Sequence, residues 1–178
     1  MNIIKCIVAP SIFLFMGGVF GAANAGERIA ILSFELNDIT SLPNTQAERM
    51  RTASLKPLLE QAMTHAGEYE IIQISPGQQK SSNAGFGYLF RFHDVAAKLG
   101  KEVNADWIIV GQHSKPSFLF SYLIAHVINV HTEKLAARYD IELKGNHKKV
   151  TRRGIRKLSK EIHKLVLSKY ILSEITSL

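Results

Sequence analysis

Two adjoining strand patterns in the second half of the chain restrict its fold more than anything else in the sequence. Leu135 to Lys144 reads as one strand whose residues alternate between an apolar and a wetter side. Leu135, Ala137, Tyr139, Ile141 and Leu143 fall on one side, and Ala136, Arg138, Asp140, Glu142 and Lys144 on the other. A period of two with one wet face marks a strand of an antiparallel pair. Its partner stands directly before it. Phe118–Val130 is a long apolar run, and Thr132-Glu133-Lys134 turns one strand into the other. The fold must therefore contain a long hairpin, and the remaining elements must be able to share a sheet with it.

Those elements read as two crossovers. Arg28–Phe34 is apolar on both faces, as a buried parallel strand should be. A polar loop is expected over Glu35–Asn44. Leu55, Leu58, Leu59, Ala62, Met63 and Ala66 recur at helical offsets, and Gly67 ends that helix. Pro57 requires either that the helix start near Ser54 or that an earlier helix kink there. Tyr69–Ile74 reads as a second strand. Ser75–Tyr88 is rich in Gly and Ser, lacks a period, and is expected to be flexible. A helix over about Phe92–Val103 and a strand over Ala105–Gly111 follow. Lys115-Pro116-Ser117 reads as a turn, and a last helix begins near His147 and ends near Leu167. The expected order is β-α-β-α-β-β-β-α: a single three-layer α/β domain over residues 26–178, with a mixed sheet and a closing amphipathic helix. Ile29, Ile31, Ile108, Val110, Ile124 and Ile128 are expected in its core.

The first 25 residues read as a cleavable signal peptide. Lys5 precedes a 14-residue uncharged stretch, Ile7–Phe20, and Ala23 and Ala25 place the cut between Ala25 and Gly26. An uncut anchor is the other reading, but the apolar stretch falls short of the roughly 20 residues that span a bilayer. Cys6 is the only cysteine and lies before the stretch, so no lipid-attachment cysteine stands at the cut. A mature chain from Gly26 would have no disulfide and would rely on its core. At this size a domain buries roughly 70% of its unfolded surface, which is sufficient. The expected location is the periplasm.

Charge is unevenly distributed. Residues 26–143 carry 11 Lys/Arg against 13 Asp/Glu, and residues 144–178 carry 10 against 2. The basic excess therefore belongs to the last segment, where it implies an anionic partner or a merely solvated helix face.

The stretch Val95–Ile155 contains V-A-A-K-L-G-K-E-V-N-A-D-W-I-I-V-G, a hairpin closed by V-H-T-E-K-L, then L-K-G-N and R-R-G-I-R-K-L. It resembles the TolB amino-terminal domain and the related CsgG-type periplasmic assembly domains. It resembles still more closely a family of small secreted bacterial proteins of unknown function. Ala105-Asp106 and Gly111 fit the shared pattern, while His131-Thr132-Glu133-Lys134 departs from its usual Thr-Gly. The likeness extends from Arg28 to about Leu165 and leaves TolB's propeller without a counterpart. It implies a periplasmic, non-enzymatic module acting through contacts, and it supplies no catalytic residues.

Candidate chemistry is sparse. The seven histidines, His65, His93, His113, His126, His131, His147 and His163, show no helical i, i+4 pair for zinc. His126 and His131, read as one strand, should point to opposite faces. No metal or cofactor is expected. No G-x-S-x-G follows a strand, and Gly85-Phe86-Gly87 lacks the rest of a phosphate loop. Phe86 and Tyr88 are candidate binding residues if Gly77–Gly87 acts as a lid. In the last helix Ile155, Leu158, Ile162, Leu165 and Val166 form an apolar stripe. Beside it runs a basic stripe of Lys149, Arg152, Arg153, Arg156, Lys157, Lys160, His163 and Lys164. The leading expectation is a periplasmic, non-catalytic binding or assembly module whose basic stripe meets an acidic protein surface. The alternative is a peripheral protein docking that helix on anionic lipid. A hydrolytic enzyme ranks third, and nucleic acid is the weakest partner.

Overall fold

The computed structural model describes residues 26–40, 45–145 and 148–176. The expected leader, residues 1–25, and His147 lie outside the described residues. The elements are β1 (Arg28–Ile31), β2 (Glu35–Asp38), α1 (Gln46–Ala53), α2 (Leu55–Ala66), β3 (Glu70–Ile72), α3 (Pro76–Ser82), α4 (Tyr88–Arg91), α5 (His93–Glu102), β4 (Trp107–Lys115), β5 (Phe120–Asn129), β6 (Lys134–Lys144) and α6 (Lys148–Thr176). One six-stranded sheet has the order β3-β1-β4-β5-β6, with β2 also paired to β4. β3, β1 and β4 are parallel, and the long β4–β5–β6 meander is antiparallel.

The alternation of the strands divides the core into two faces. Ile29, Ile31, Trp107, Ile109, Leu123, Val127, Ile141 and Leu143 pack under α2 and α6. Ala30, Leu32, Ile108, Val110, Ile128 and Val130 pack under α4 and α5. This is the expected three-layer α/β arrangement. Ile124 is a correction, being only half-buried, because the packed cluster on the α4–α5 face ends at Val110 and Ile128.

Four local features depart from the sequence reading. First, the expected polar loop contains β2. Ile31 opposes Ile109 and Glu35 opposes Gln112, so four steps along β1–β2 meet three along β4. The extra residue is accommodated at Ser33, whose N–H and C=O are bonded by the side-chain amide of Gln79 at 2.9 and 3.1 Å. Second, the stretch expected to be flexible folds as α3. Ser75 and Gln78 cap each other reciprocally, and Pro76 sits at the first helical position, where its missing N–H costs nothing. Third, the register of β5 and β6 shifts between Val127 and Ile128, making Ala136 a bulge residue. The bulge turns Leu135 away from Ile141 and Leu143 and leaves it 38% exposed. Fourth, both readings of Pro57 hold in part. α1 precedes α2, the two meet at Ser54, and Pro57 lies in the first turn of α2.

The residues of the family-like pattern have physical roles. Asn104 takes a left-handed φ of 54° at the end of α5, and Ala105 N–H bonds Gly100 O at 2.9 Å. The Asp106 carboxylate accepts the Arg28 N–H at 2.8 Å and so fixes the start of β1. Gly111 leaves room for the Phe34 ring. At the hairpin turn Glu133 takes the left-handed conformation, φ 59°, that the glycine of a Thr-Gly turn would take.

Candidate contact surface on the closing helix

α6 has 29 residues, about 43 Å of helix at 1.5 Å per residue. Ile155, Leu158, Ile162 and Val166 are buried against the sheet, and Leu165 packs at the edge of the same cluster. Gly154 permits this approach, since a Cβ there would come within 2.3 Å of Leu143 Cδ2. Lys149, Arg152, Arg153, Arg156, Lys157, Lys160 and Lys164 are all exposed. Among the described residues only Lys164 of this row has an acidic partner, Glu161 at 3.3 Å.

His163 does not belong to the row. It is half-buried, and its Nδ1 lies 2.6 Å from the Tyr69 hydroxyl, because the turn between α2 and β3 carries Tyr69 to the middle of α6. The helix also does not end near Leu167. It runs to Thr176, beyond the last residues that need the sheet. Along this extension Leu167, Ile171 and Ile175 are 47%, 48% and 64% exposed. At 100° per residue they continue the direction of Lys160 and Lys164, so the outer face of α6 changes from basic to apolar along its length.

A groove separates α6 from α1 and α2. It consists of two cavities, about 500 and 590 Å³, that share Leu58 and Gln61. Leu58 and Ile155 form an apolar floor, while Lys149, Arg152 and Arg156 form one wall. The groove's upper end is held by Arg51. Its guanidinium donates to Thr151 Oγ1 at 2.9 Å and Gly145 O at 3.2 Å, and lies 3.8 Å from Glu48. Glu48 is itself buried, and its Oε2 has no hydrogen-bond partner.

The remaining candidates are structural in their surroundings. His113 is fully buried between Thr52 Oγ1 at 2.8 Å and Ser121 Oγ at 3.0 Å. Burial, then the nearby Arg51 and Lys115 charges, pushes it down to about 4, so it is neutral at neutral pH. Its two ring nitrogens are paired with hydroxyls, Thr52 and Ser121, rather than with a carboxylate, and Ser121 is itself buried. His126 stacks on Phe90 with ring centres 3.8 Å apart. It too is pushed down to about 4, by burial and then by His93 and Arg138. His131 lies past the end of β5, in the turn, against Asp106 at 3.0 Å. Among the described residues no three His, Cys, Asp or Glu side chains could share a metal ion.

Phe86 projects into solvent, 61% exposed. Tyr88 is half-buried at the rim of the α4–α5 cluster, its ring 4.8 Å from that of Phe92. The turn carrying them is tied to β2, since Glu35 accepts Gly87 N–H at 2.7 Å and Asn83 Nδ2–H at 3.0 Å. Glu35 and Gln79, the residues that anchor this region, carry no signal in the linear sequence.

A family model described as "Protein of unknown function (DUF2380)" matches residues 27–162. The chain belongs to this family, DUF3280. No curated protein matches the DUF3280 chain. Solved structures do share its fold. The hypothetical protein CT253 from Chlamydia trachomatis is 10% identical with a TM-score of 0.52, over 80% of this chain and 99% of that one. The PelC dodecamer from Paraburkholderia phytofirmans is 13% identical with a TM-score of 0.51, over 76% and 87%. TolB from Acinetobacter baumannii is 12% identical with a TM-score of 0.51, over 79% of this chain and 28% of TolB. The TolB likeness is thus one of fold.

Proposed function

We propose that this DUF3280 chain is a non-catalytic contact module of the bacterial periplasm. In this reading it is exported through its leader, begins at Gly26 when mature, works as a single domain, and receives an acidic protein surface on the outer face of α6. One observation carries the reading. The apolar stripe of α6 is wholly used by the sheet, yet its basic row stands in solvent with a single acidic partner and borders an open groove. Unneutralised cations beside an apolar floor suit a partner with carboxylates around an apolar centre. The enclosure of His113 and Ser121 supports a role without catalysis. That solved proteins of this fold include the PelC dodecamer is in keeping with work by contact. Phe86, exposed on its tethered turn, is a second, smaller contact point, with Tyr88 as its support.

Anionic lipid is the second reading, favoured by the exposed Leu167, Ile171 and Ile175 that follow the basic row. Reversing Arg152, Arg153, Arg156 and Lys160 to Glu separates the two. The fold should survive, since exposed charges add little to stability. Salt-sensitive capture of a periplasmic protein by the wild type, lost in the variant, supports the protein reading. Sedimentation of the wild type with anionic vesicles, lost in the variant and with no protein captured, supports lipid. A variant identical to wild type in both assays refutes a contact role for α6.

A further inference from the structure

The sheet ends on its longest strand. β6 has 11 residues and stands last in the strand order, so one side of its backbone faces outward. Among the described residues no backbone or side-chain hydrogen bond reaches that outer edge. A long free edge is a template for another strand, and proteins normally blunt it with bulges and charges. Here the bulge at Ala136 disrupts only the first residues, and from Ala137 to Leu143 the strand is regular.

The charges on that regular stretch do not simply repel a second strand. Arg138, Asp140 and Glu142 share the wet face, and Arg138 grips Asp140 with two bonds of 2.9 Å. In an antiparallel pair related by a two-fold axis through the sheet, opposed residues must lie on the same face, so only alternate registers are open. Centring on Arg138 opposes it to itself. Centring on Asp140 does the same to that carboxylate. Centring on Ile141 sets Asp140 against Glu142. Centring on Tyr139 sets Arg138 against Asp140 twice, once from each copy. It also sets Ala137 against Ile141 twice on the core face. Each Arg138 would then lie between its own Asp140 and that of the other copy, an alternating square of charge. Lys134 and Lys144, nominally opposed in this register, are separated by the bulge.

The layer above the sheet is compatible with this. The Tyr139 hydroxyl donates to Glu161 O at 3.1 Å, so that part of α6 lies over β6. At 100° per residue the flank of α6 nearest the free edge carries Val150, Glu161 and Leu165, with the exposed Lys157 and Lys164 beside them. Lys149, Arg152 and Arg156 instead line the groove on the α2 side. A second copy would thus bring together two helix flanks of mixed character, each with Glu161 between Lys157 and Lys164, rather than the basic wall of the groove.

We infer that two copies of this chain join edge to edge through β6, Tyr139 opposite Tyr139, doubling the six-stranded sheet. The test is the mass of the mature chain in solution, measured by sedimentation equilibrium from micromolar to millimolar concentration. The wild type should associate to a two-chain species. Arg138→Asp and Asp140→Arg should each weaken association by about tenfold or more, because every reversal puts like charges opposite each other at two places. Both side chains are about half exposed, so both variants should stay folded, with unchanged circular dichroism. Mixing the two variants should restore a heterodimer, since an acid at position 138 then faces a base at position 140. Because no cysteine follows Cys6, an oxidised mixture of Arg138→Cys and Asp140→Cys chains should form a disulfide between unlike chains. A monomeric wild type at millimolar concentration overturns the proposal. So does a dimer indifferent to both reversals, or a mixture that fails to reassociate.

Discussion

Replacing Gly111 with alanine tests the packing of the sheet at its most crowded point. A Cβ built there would stand 2.4, 2.5 and 2.6 Å from Cε1, Cδ1 and Cζ of Phe34. Ordinary carbon contacts lie at about 3.5–4.0 Å, so the ring would have to retreat by about 1 Å. It has little space to do so, being 7% exposed within the α2–α6 cluster. Overpacking of this kind costs about 1–3 kcal/mol. Removing the extra freedom of an unfolded glycine returns about 0.5–1 kcal/mol. The net loss should be about 1–2 kcal/mol, seen as a fall of roughly 2–8 °C in the thermal midpoint followed by circular dichroism. A control isolates the cause. In a Phe34→Leu background the same Gly111→Ala change should cost much less, since the ring it strikes is gone. An unchanged midpoint, or an equal fall in both backgrounds, would refute the idea that Gly111 exists to seat Phe34.

Three further outcomes follow from the buried groups. His113 and His126 both have pKa values lowered to about 4, against an unfolded value of about 6.5, so stability is full above pH 6.5 and is lost as pH falls toward 4. For His113 the loss should reach about 2 kcal/mol by pH 5, read from urea unfolding at pH 7.5 and pH 5, and a His113→Gln chain should show a shallower pH dependence. Arg51→Ala should cost about 3–5 kcal/mol in the same assay, because it strands the buried Glu48 carboxylate; restoration by Glu48→Gln in the same chain would confirm that cause, and a loss below 1 kcal/mol would contradict it. Ile108→Ala should cost about 2–5 kcal/mol, and an unchanged midpoint would be incompatible with its place at the centre of the sheet.

What could be read from the sequence was whatever repeats with the period of its element. Ile29 and Ile31, and Ile108 and Val110, identify strands as apolar runs buried on both faces, and the alternation from Ala137 to Leu143 identifies one with a single buried face. Ile155, Leu158, Ile162 and Val166 identify α6 because one side of the helix is buried. Elements held by single side-chain bonds had no such period. β2 is half-buried throughout and polar apart from Leu36, stabilised by pairing with β4 and by the Lys115–Asp38 ion pair at 3.2 Å. The Ala136 bulge inverts Leu135 without altering composition. α3 was legible in principle, since Ser75-Pro76 with Gln78 is a capping signature, but glycine and serine content masked it. In the candidate surface the exposed row from Lys149 to Lys164 was visible on a helical wheel. The removal of His163 from that row was not, because Tyr69 reaches it only through the fold. The outward apolar residues beyond Val166 were also hidden, since a helix can continue past the point where its inner stripe is needed.

The position of α6 in the chain sets the order in which this protein can become compact. β1 cannot complete its clamp to Asp106 until 78 further residues are available, and the β4–β6 meander must follow before α6 can lie on the sheet. Until that last element docks, Leu123, Val127, Ile141 and Leu143 have no cover. A chain emerging from a ribosome or a translocation pore therefore stays open and threadable for most of its length and closes only near the end. The same sequence of events gives any product cut short before Lys148 a bare apolar sheet face, the form of this protein most exposed to proteases and to aggregation.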